Sequence, residues 1–237
     1  MNDLNAGAHY SPNINNNSEI YEVENVACDP GHLIEEFFSE LIDIKGKNIL
    51  DVGCGAGFHL PYFKDTANHI FGVEPFDESR IQALKRISDQ KIKNISILKG
   101  TAETVFLKDE SIDFAYSRFA YFWGEGCEPG IKEIFRVLKP KGLFCMIDNN
   151  LERGTFGPWV KESFKFSDQK QIEVDNFWKD QGFKLKTIDS KWSFKTREDL
   201  EKVIRIEFSK DLADKILKDH TSLEIDYAFN LYYKFKN

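Results

Sequence analysis

The stretch Asp51-Val52-Gly53-Cys54-Gly55-Ala56-Gly57 decides how this chain is read, because it stands between a short apolar run and a helical segment. Glycines at such a junction let the backbone turn sharply and let a ligand approach main-chain N–H groups with no Cβ in the way. Spacing excludes two common phosphate loops. A dinucleotide fingerprint G-x-G-x-x-G counted from Gly53 meets Phe58, and counted from Gly55 it meets Leu60. The Gly-Lys-Ser/Thr ending of a P-loop is also missing. Instead the glycines recur at every second position behind an acid. Glu74 lies 19 residues beyond Gly55, in Gly72-Val73-Glu74-Pro75, where a second apolar run ends. A carboxylate there can accept hydrogen bonds from both hydroxyls of a ribose. Together the two features imply a nucleoside pocket and give no sign of a pyrophosphate site.

Working outward, apolar runs at Asn48 to Val52, Ile70 to Val73, Ile95 to Leu98, Ile112 to Tyr116 and Leu143 to Ile147 alternate with helical stretches at Phe58 to Tyr62, Glu78 to Ile87 and Gly130 to Leu138. The last of these stretches ends at a stop-and-turn signal, Lys139-Pro140-Lys141-Gly142. Strand and helix in alternation imply βαβ units, a mainly parallel sheet, and a ligand beyond the carboxyl ends of its strands. Beyond Asp148 the order changes. Residues 149–170 lack a period, a helix is expected near Val174 to Asp180, a strand over Phe183 to Phe194, helices over Arg197 to Phe208 and Asp211 to Lys218, and a final strand over Ile225 to Phe235.

At the other end, residues 1–20 hold six asparagines with Gly7 and Pro12, which predicts a flexible arm with too few apolar groups to offset ordering entropy. Leu33, Ile34, Phe37, Phe38, Leu41 and Ile42 then recur at helical spacing, so a helix is expected over residues 30–45. No linker splits the chain, and residues 21–237 read as one domain with insertions at 149–175 and 197–220.

Composition narrows the partners. The 237 residues carry 32 Lys+Arg against 39 Asp+Glu, a formal net charge of −7, which argues against nucleic acid as a partner. Neither a membrane span nor a secretory leader is evident, and the four cysteines show no CxxC spacing, so a cytoplasmic protein without a structural metal is expected.

Four segments in order, namely Asp51 to Gly57, Glu74, Lys99-Gly100-Thr101-Ala102-Glu103 before Asp113-Phe114, and Phe135-Arg136-Val137-Leu138-Lys139-Pro140-Lys141-Gly142, resemble the class I S-adenosylmethionine-dependent methyltransferases. The likeness runs from Lys47 to Asp148 and is strongest to the small-molecule branch related to ubiquinone and menaquinone biosynthesis. It implies an α/β, Rossmann-like, doubly wound and mainly parallel seven-stranded sheet with an antiparallel last strand and helical insertions. It also implies S-adenosyl-L-methionine as cofactor and in-line methyl transfer to a small-molecule acceptor by a monomer or homodimer. By this resemblance Asp51, Gly53, Cys54, Gly55 and Gly57 lie along the methionine moiety, Glu74 and Pro75 hold the ribose end, Phe76 flanks the adenine, and Thr101, Ala102 and Glu103 meet its edge. Thr101 stands where the family often has Asp. Arg118, at the fourth strand end, is a further cofactor contact.

For the chemistry, Tyr121 and Asp148 at the fourth and fifth strand ends, with His59 after the loop, are the candidates to position or deprotonate an acceptor. Neighbouring Phe119, Phe122 and Trp123 read either as core or as faces toward a sulfonium. The Asn/Asp-Pro-Pro-aromatic motif of amine-methylating enzymes acting on DNA or glutamine amides is missing at Ser117 to Gly124. A second reading keeps the pocket without turnover, as a non-catalytic S-adenosylmethionine or nucleoside-binding module. A nicotinamide oxidoreductase is disfavoured by the glycine spacing.

Overall fold

A computed structural model describes residues 8, 10–163 and 170–237. Among them the strands β1 (Asn48–Val52), β2 (His69–Glu74), β3 (Ile95–Lys99), β4 (Ile112–Arg118), β5 (Leu138–Asn149), β6 (Lys184–Ser193) and β7 (Glu224–Phe235) form one sheet in the order β3-β2-β1-β4-β5-β7-β6. The first five are parallel, and β7 runs antiparallel to both β5 and β6. From β1 the chain builds outward through β2 and β3, then returns to place β4 on the other side of β1. The crevice between the carboxyl ends of β1 and β4 is therefore the topological switch point where ligands bind in such sheets.

Period-two alternation sends each strand's residues to two separate cores. Ile49, Phe114, Tyr116, Leu143, Cys145 and Ile147 pack on one face, with Ile34 and Phe38 of α3 (Leu33–Leu41) and Leu200, Val203 and Ile204 of α8 (Arg197–Glu207). Leu50, Val52, Ala115, Phe144 and Met146 pack on the other, with Ile131 and Ile134 of α5 (Glu128–Val137) and Trp178 of α7 (Gln171–Asp180). This alternation puts Asp51, Tyr116 and Arg118 on the α3 face together.

The mainly parallel seven-stranded sheet with an antiparallel strand at its end follows the expected pattern, and three local features do not. The helix expected over 30–45 begins only at Leu33, because Asp29 and His32 adopt left-handed backbone with φ of 49° and 55°. The Asp29 carboxylate instead accepts from the Ile34 N–H (3.0 Å) and from Ser190 Oγ (2.7 Å). Lys139 to Gly142 does not separate helix from strand. It lies inside β5, with a register shift against β4, and Lys141 N–H donates to the Lys236 carbonyl at 2.9 Å.

The third difference concerns the arm expected over residues 1–20. Its described part holds α1 (Pro12–Asn16) and the start of α2 (Ser18–Ala27); residues 1–7 and 9 lie outside the described residues. Few apolar groups are needed here because tertiary contacts supply the ordering. Ile20 and Val23 pack on the main core, and Glu22 takes both terminal nitrogens of Arg86 (2.9 and 2.7 Å) on α4 (Asp77–Asp89). The remaining helices are α6 (Phe156–Ser163) and α9 (Lys210–Asp219). No helix among the described residues is long and apolar enough to cross a membrane.

Candidate cofactor and acceptor site

The loop after β1 is tied down by main-chain bonds. The N–H groups of Gly53 and Cys54 both donate to the Val73 carbonyl, at 2.8 and 3.1 Å. Gly53 has φ of 77°, and a Cβ there would stand 2.6 Å from the Ala120 Cβ, so only glycine fits. Gly55, with φ of 52°, donates its N–H to Glu74 Oε2 at 3.0 Å. Phe76 N–H donates to Glu74 Oε1 at 3.1 Å. The Glu74 carboxylate is thus fixed from both sides at the end of β2 while each oxygen keeps acceptor capacity. It is 6% exposed, and burial raises its pKa against those two N–H groups and Arg80. Gly57 closes the loop against Cys54 and meets Ala83 of α4, which leaves no space for a side chain.

The other flank of the crevice is partly as expected. Thr101 and Thr104 exchange main-chain bonds (3.3 and 3.1 Å) and Ala102 is buried, which forms a turn beside the end of β3. Pro75 gives its carbonyl to Arg80, and Phe76 meets the Tyr10 ring edge-on at 5.4 Å. Ile14 of α1 approaches within 3.3 Å of where a Gly55 Cβ would be. The N-terminal helices therefore close over the glycine loop. Arg86 binds this cover to the loop, since its Nε donates to the Ala56 carbonyl at 3.0 Å while its other nitrogens hold Glu22.

Several sequence candidates sit differently from expectation. Tyr121 donates to Glu103 Oε1 at 2.7 Å and packs on Gly130 of α5, so it joins the β3 side of the crevice. Arg118 is committed to Glu35 of α3 in a buried ion pair. Its side chain is 8% exposed, and its Nε has no partner among the described residues. Strand alternation turns Arg118 onto the α3 face, where Glu35 holds it. Asp51, 4% exposed on the same face, has its carboxyl pushed up to about 7 by burial, with Tyr116 and Arg118 opposing. His59 stacks edge-on against Phe58 (5.0 Å), and burial with the Arg118 and Arg86 charges lowers its pKa well below the usual value. It is neutral at pH 7, fit to donate or accept one hydrogen bond.

At the end of β5, Asp148 falls on the face of Met146 and accepts from the Asn149 N–H at 2.7 Å; burial pushes its carboxyl up to about 7. Asn149 falls on the opposite face and accepts from the Tyr227 hydroxyl. There the segment 154–159 contributes Phe156, which stacks on Tyr227 at 4.6 Å. Trp192 on β6, a candidate for the outer wall of the site or for packing, stacks here on Tyr227, and Asn13 of α1 bonds Glu207 of α8 nearby. Asn13 and Glu207 are separated by most of the chain and meet because the N-terminal helices pack on α8.

S-adenosylmethionine fits this crevice. A nucleoside ribose finds the pinned Glu74 carboxylate, and the three positive-φ glycines of the loop leave main chain bare of side chains beside it. Residues 50–146 match the family model described as a methyltransferase domain. The chain is 29% identical over 101 residues to the uncharacterized methyltransferase YcgJ of Bacillus subtilis, covering 43% of this chain and 40% of that one. The solved YcgJ structure has a TM-score of 0.61 and 19% identity, covering 87% and 99% of the two chains. The chain is 28% identical over 182 residues to 2-methyl-6-phytyl-1,4-hydroquinone methyltransferase 2 of Oryza sativa, covering 69% and 49%. To the tRNA (guanine-N(7)-)-methyltransferase of Campylobacter jejuni it is 24% identical over 216 residues, covering 81% and 55%. The matches thus span about half the length of these curated relatives. Residues 50–146 therefore carry a methyltransferase domain, and the chain around them shares the fold of the YcgJ structure.

Proposed function

We propose that this protein is an enzyme of the cytoplasm that moves the methyl group of S-adenosylmethionine onto a small-molecule acceptor. The observation that carries the reading is the Glu74 carboxylate held between the Gly55 and Phe76 N–H groups at the switch point of the sheet. When bound, the cofactor supplies a methyl group made electrophilic by its sulfonium. The chain's own part is to hold, orient and desolvate. Glu74 takes the ribose hydroxyls, the turn at Thr101, Ala102 and Glu103 meets the base, and the loop from Gly53 to Gly57 lies along the methionine part. Tyr121 fixes Glu103. Asp148, with a carboxyl near 7, takes up a proton or orients the acceptor at the β5 end. His59, neutral beside the loop, is a hydrogen-bonding group and not a cation.

The N-terminal helices and the segments 149–175 and 197–220 cover the acceptor end; residues 164–169 of the first segment lie outside the described residues. An acceptor of small size suits this enclosure, and the net charge of −7 gives no support to an RNA backbone. Four free thiols suit a reducing compartment. The test is a methyl-labelled donor incubated with the protein and a fractionated extract. Label in the small-molecule fraction, insensitive to ribonuclease, is the expected result; label in tRNA overturns the acceptor class. Saturable calorimetric binding of S-adenosylhomocysteine without any transfer would favour the binding-module reading instead.

A further inference from the structure

The helix α1 holds five residues with Pro12 in its first turn, too few to stand by their own hydrogen bonds. Its order comes from what its side chains meet, and much of that lies on the donor half of the crevice. Ile14 stands 3.3 Å from where a Cβ on Gly55 would be. The Tyr10 ring, just ahead of the helix, meets Phe76 edge-on at 5.4 Å, and its hydroxyl donates to Asn16 Oδ1 at 2.9 Å, which joins Tyr10 and α1 in one unit. Gly55 and Phe76 are the two residues whose N–H groups pin Glu74, at 3.0 and 3.1 Å. The unit therefore touches both ends of the ribose site.

A clasp joins this cover to the loop beneath it. Arg86 of α4 gives its two terminal nitrogens to both carboxylate oxygens of Glu22 (2.9 and 2.7 Å) and its Nε to the Ala56 carbonyl (3.0 Å), with the guanidinium 5.5 Å over the Phe58 ring. Such a bidentate, charge-assisted contact is specific in geometry. It is also partly open to water, with side-chain exposures of 20% and 39% against 8% and 3% for Arg118 and Glu35, so it parts at far lower cost than that buried pair. On the other side, Asn13 donates from Nδ2 to Glu207 of α8. Neighbours in sequence thus touch the glycine loop through Ile14 and the 197–220 segment through Asn13. A short helix held by one ring pair, one methyl contact and two polar ties belongs to the low end of local stability and opens without unfolding the sheet.

Building on the methyltransferase reading above, we infer that α1 is the door of the donor site. It lifts to admit S-adenosylmethionine, reseats with Tyr10 beside Phe76 and Ile14 beside Gly55, and through Asn13 steadies α8 only when seated. The donor therefore binds before the acceptor, and the demethylated donor leaves last. Because the Arg86–Glu22 clasp closes the empty and the filled site alike, it slows entry and exit together and adds little to affinity. A fixed wall would act on exit alone.

The test is surface plasmon resonance of S-adenosylhomocysteine on the immobilised full chain. Glu22→Gln removes the charge of the clasp and should raise the association and dissociation rates together by about three- to tenfold, with Kd within about threefold of wild type. High salt, which screens the partly exposed pair, should raise both rates of the wild-type chain and needs no variant. Hydrogen exchange reads the link to α8. Saturating S-adenosylhomocysteine should slow exchange over 13–27 and 197–207 in wild type, and in Asn13→Ala the first protection should remain while the second is lost. A Glu22→Gln chain that gains only a faster exit, or rates unmoved by both the variant and salt, overturns the door. Protection of 197–207 that is absent in wild type or survives Asn13→Ala overturns the coupling. If the wild-type chain does not bind S-adenosylhomocysteine, the methyltransferase reading fails and this inference with it; if it binds with rates independent of the clasp, only this inference fails.

Discussion

On the β1–β2–β3 side of the crevice the site is made of main-chain groups. Gly53 and Cys54 hold the Val73 carbonyl, Gly55 and Phe76 hold Glu74, and Thr101 holds Thr104. On the β4–β5–β7 side it is made of side chains that meet across long sequence separations: Arg118 with Glu35, Tyr227 with Asn149, Asn13 with Glu207. Main-chain bonds depend on a local run of sequence with glycines in fixed places. Side-chain pairs depend on helices that arrive from both ends of the chain. The first kind of site tolerates substitution around it and keeps its ligand, whereas the second is coupled to the stability of the whole α3 face.

The largest effect should come from the Arg118–Glu35 pair. Glu35→Gln leaves a buried guanidinium, whose Nε is already unpartnered, without its paired carboxylate. Removing one member of a buried pair costs about 3 to 5 kcal/mol, or roughly 10 °C in Tm for a chain of this size. A thermal melt that stays within about 2 °C of wild type would show that the α3 face does not depend on this pair, and the contrast drawn above would be lost.

Titration gives the next effect. Burial raises the Asp51 and Asp148 carboxyls to about 7. The folded state then holds protons that the unfolded state has released once pH exceeds about 4, so stability is greatest below that value and falls as pH rises toward 7. The fall should be up to about 4 kcal/mol per group. Asp148→Asn should flatten the slope of denaturant midpoint against pH between about 4 and 7. A midpoint that rises with pH in that window would contradict the assigned direction.

These differences explain what could be read in advance. The mainly parallel, doubly wound sheet was legible because it rests on local signals, the alternating apolar runs and the glycine triplet between β1 and the next helix; the same local signals put the pinned Glu74 carboxylate at the end of β2. The N-terminal helices were not legible, since Ile14 and Tyr10 gain their packing from Gly55 and Phe76 far along the chain. Arg118 was assigned to the cofactor from its strand-end position alone. Its face follows from the β1–β4 register, with Asp51 opposite Tyr116, and that register is not a sequence signal.

The donor side should respond in binding and not in stability. Glu74→Gln presents an NH2 group to one of the two N–H donors that hold it, and it removes the charge behind the ribose contact. S-adenosylhomocysteine affinity should drop at least about tenfold, equivalent to about 1.5 to 3 kcal/mol, with the melting curve nearly unchanged. Calorimetry beside a thermal melt reads both quantities in one preparation. A large loss of Tm would mean that Glu74 is a structural tie between the loop and β2 before it is a ligand group.

The smallest effect sharpens the border between the two sides. Tyr121 comes from the β4 loop, with φ of 61°, yet its hydroxyl bonds Glu103 beyond β3 and its ring lies against Gly130. If it belongs to the donor side, Tyr121→Phe removes one hydrogen bond that steadies Glu103 and leaves the acceptor untouched. Donor affinity should then weaken by about two- to tenfold, the equivalent of roughly 0.5 to 1.5 kcal/mol. The rate at saturating donor should stay within a factor of about two, since no group that meets the acceptor has changed. A fall in kcat with unchanged donor affinity is the opposite pattern. It would move Tyr121 to the acceptor side with Asp148 and redraw the border along β4 instead of between β4 and β5.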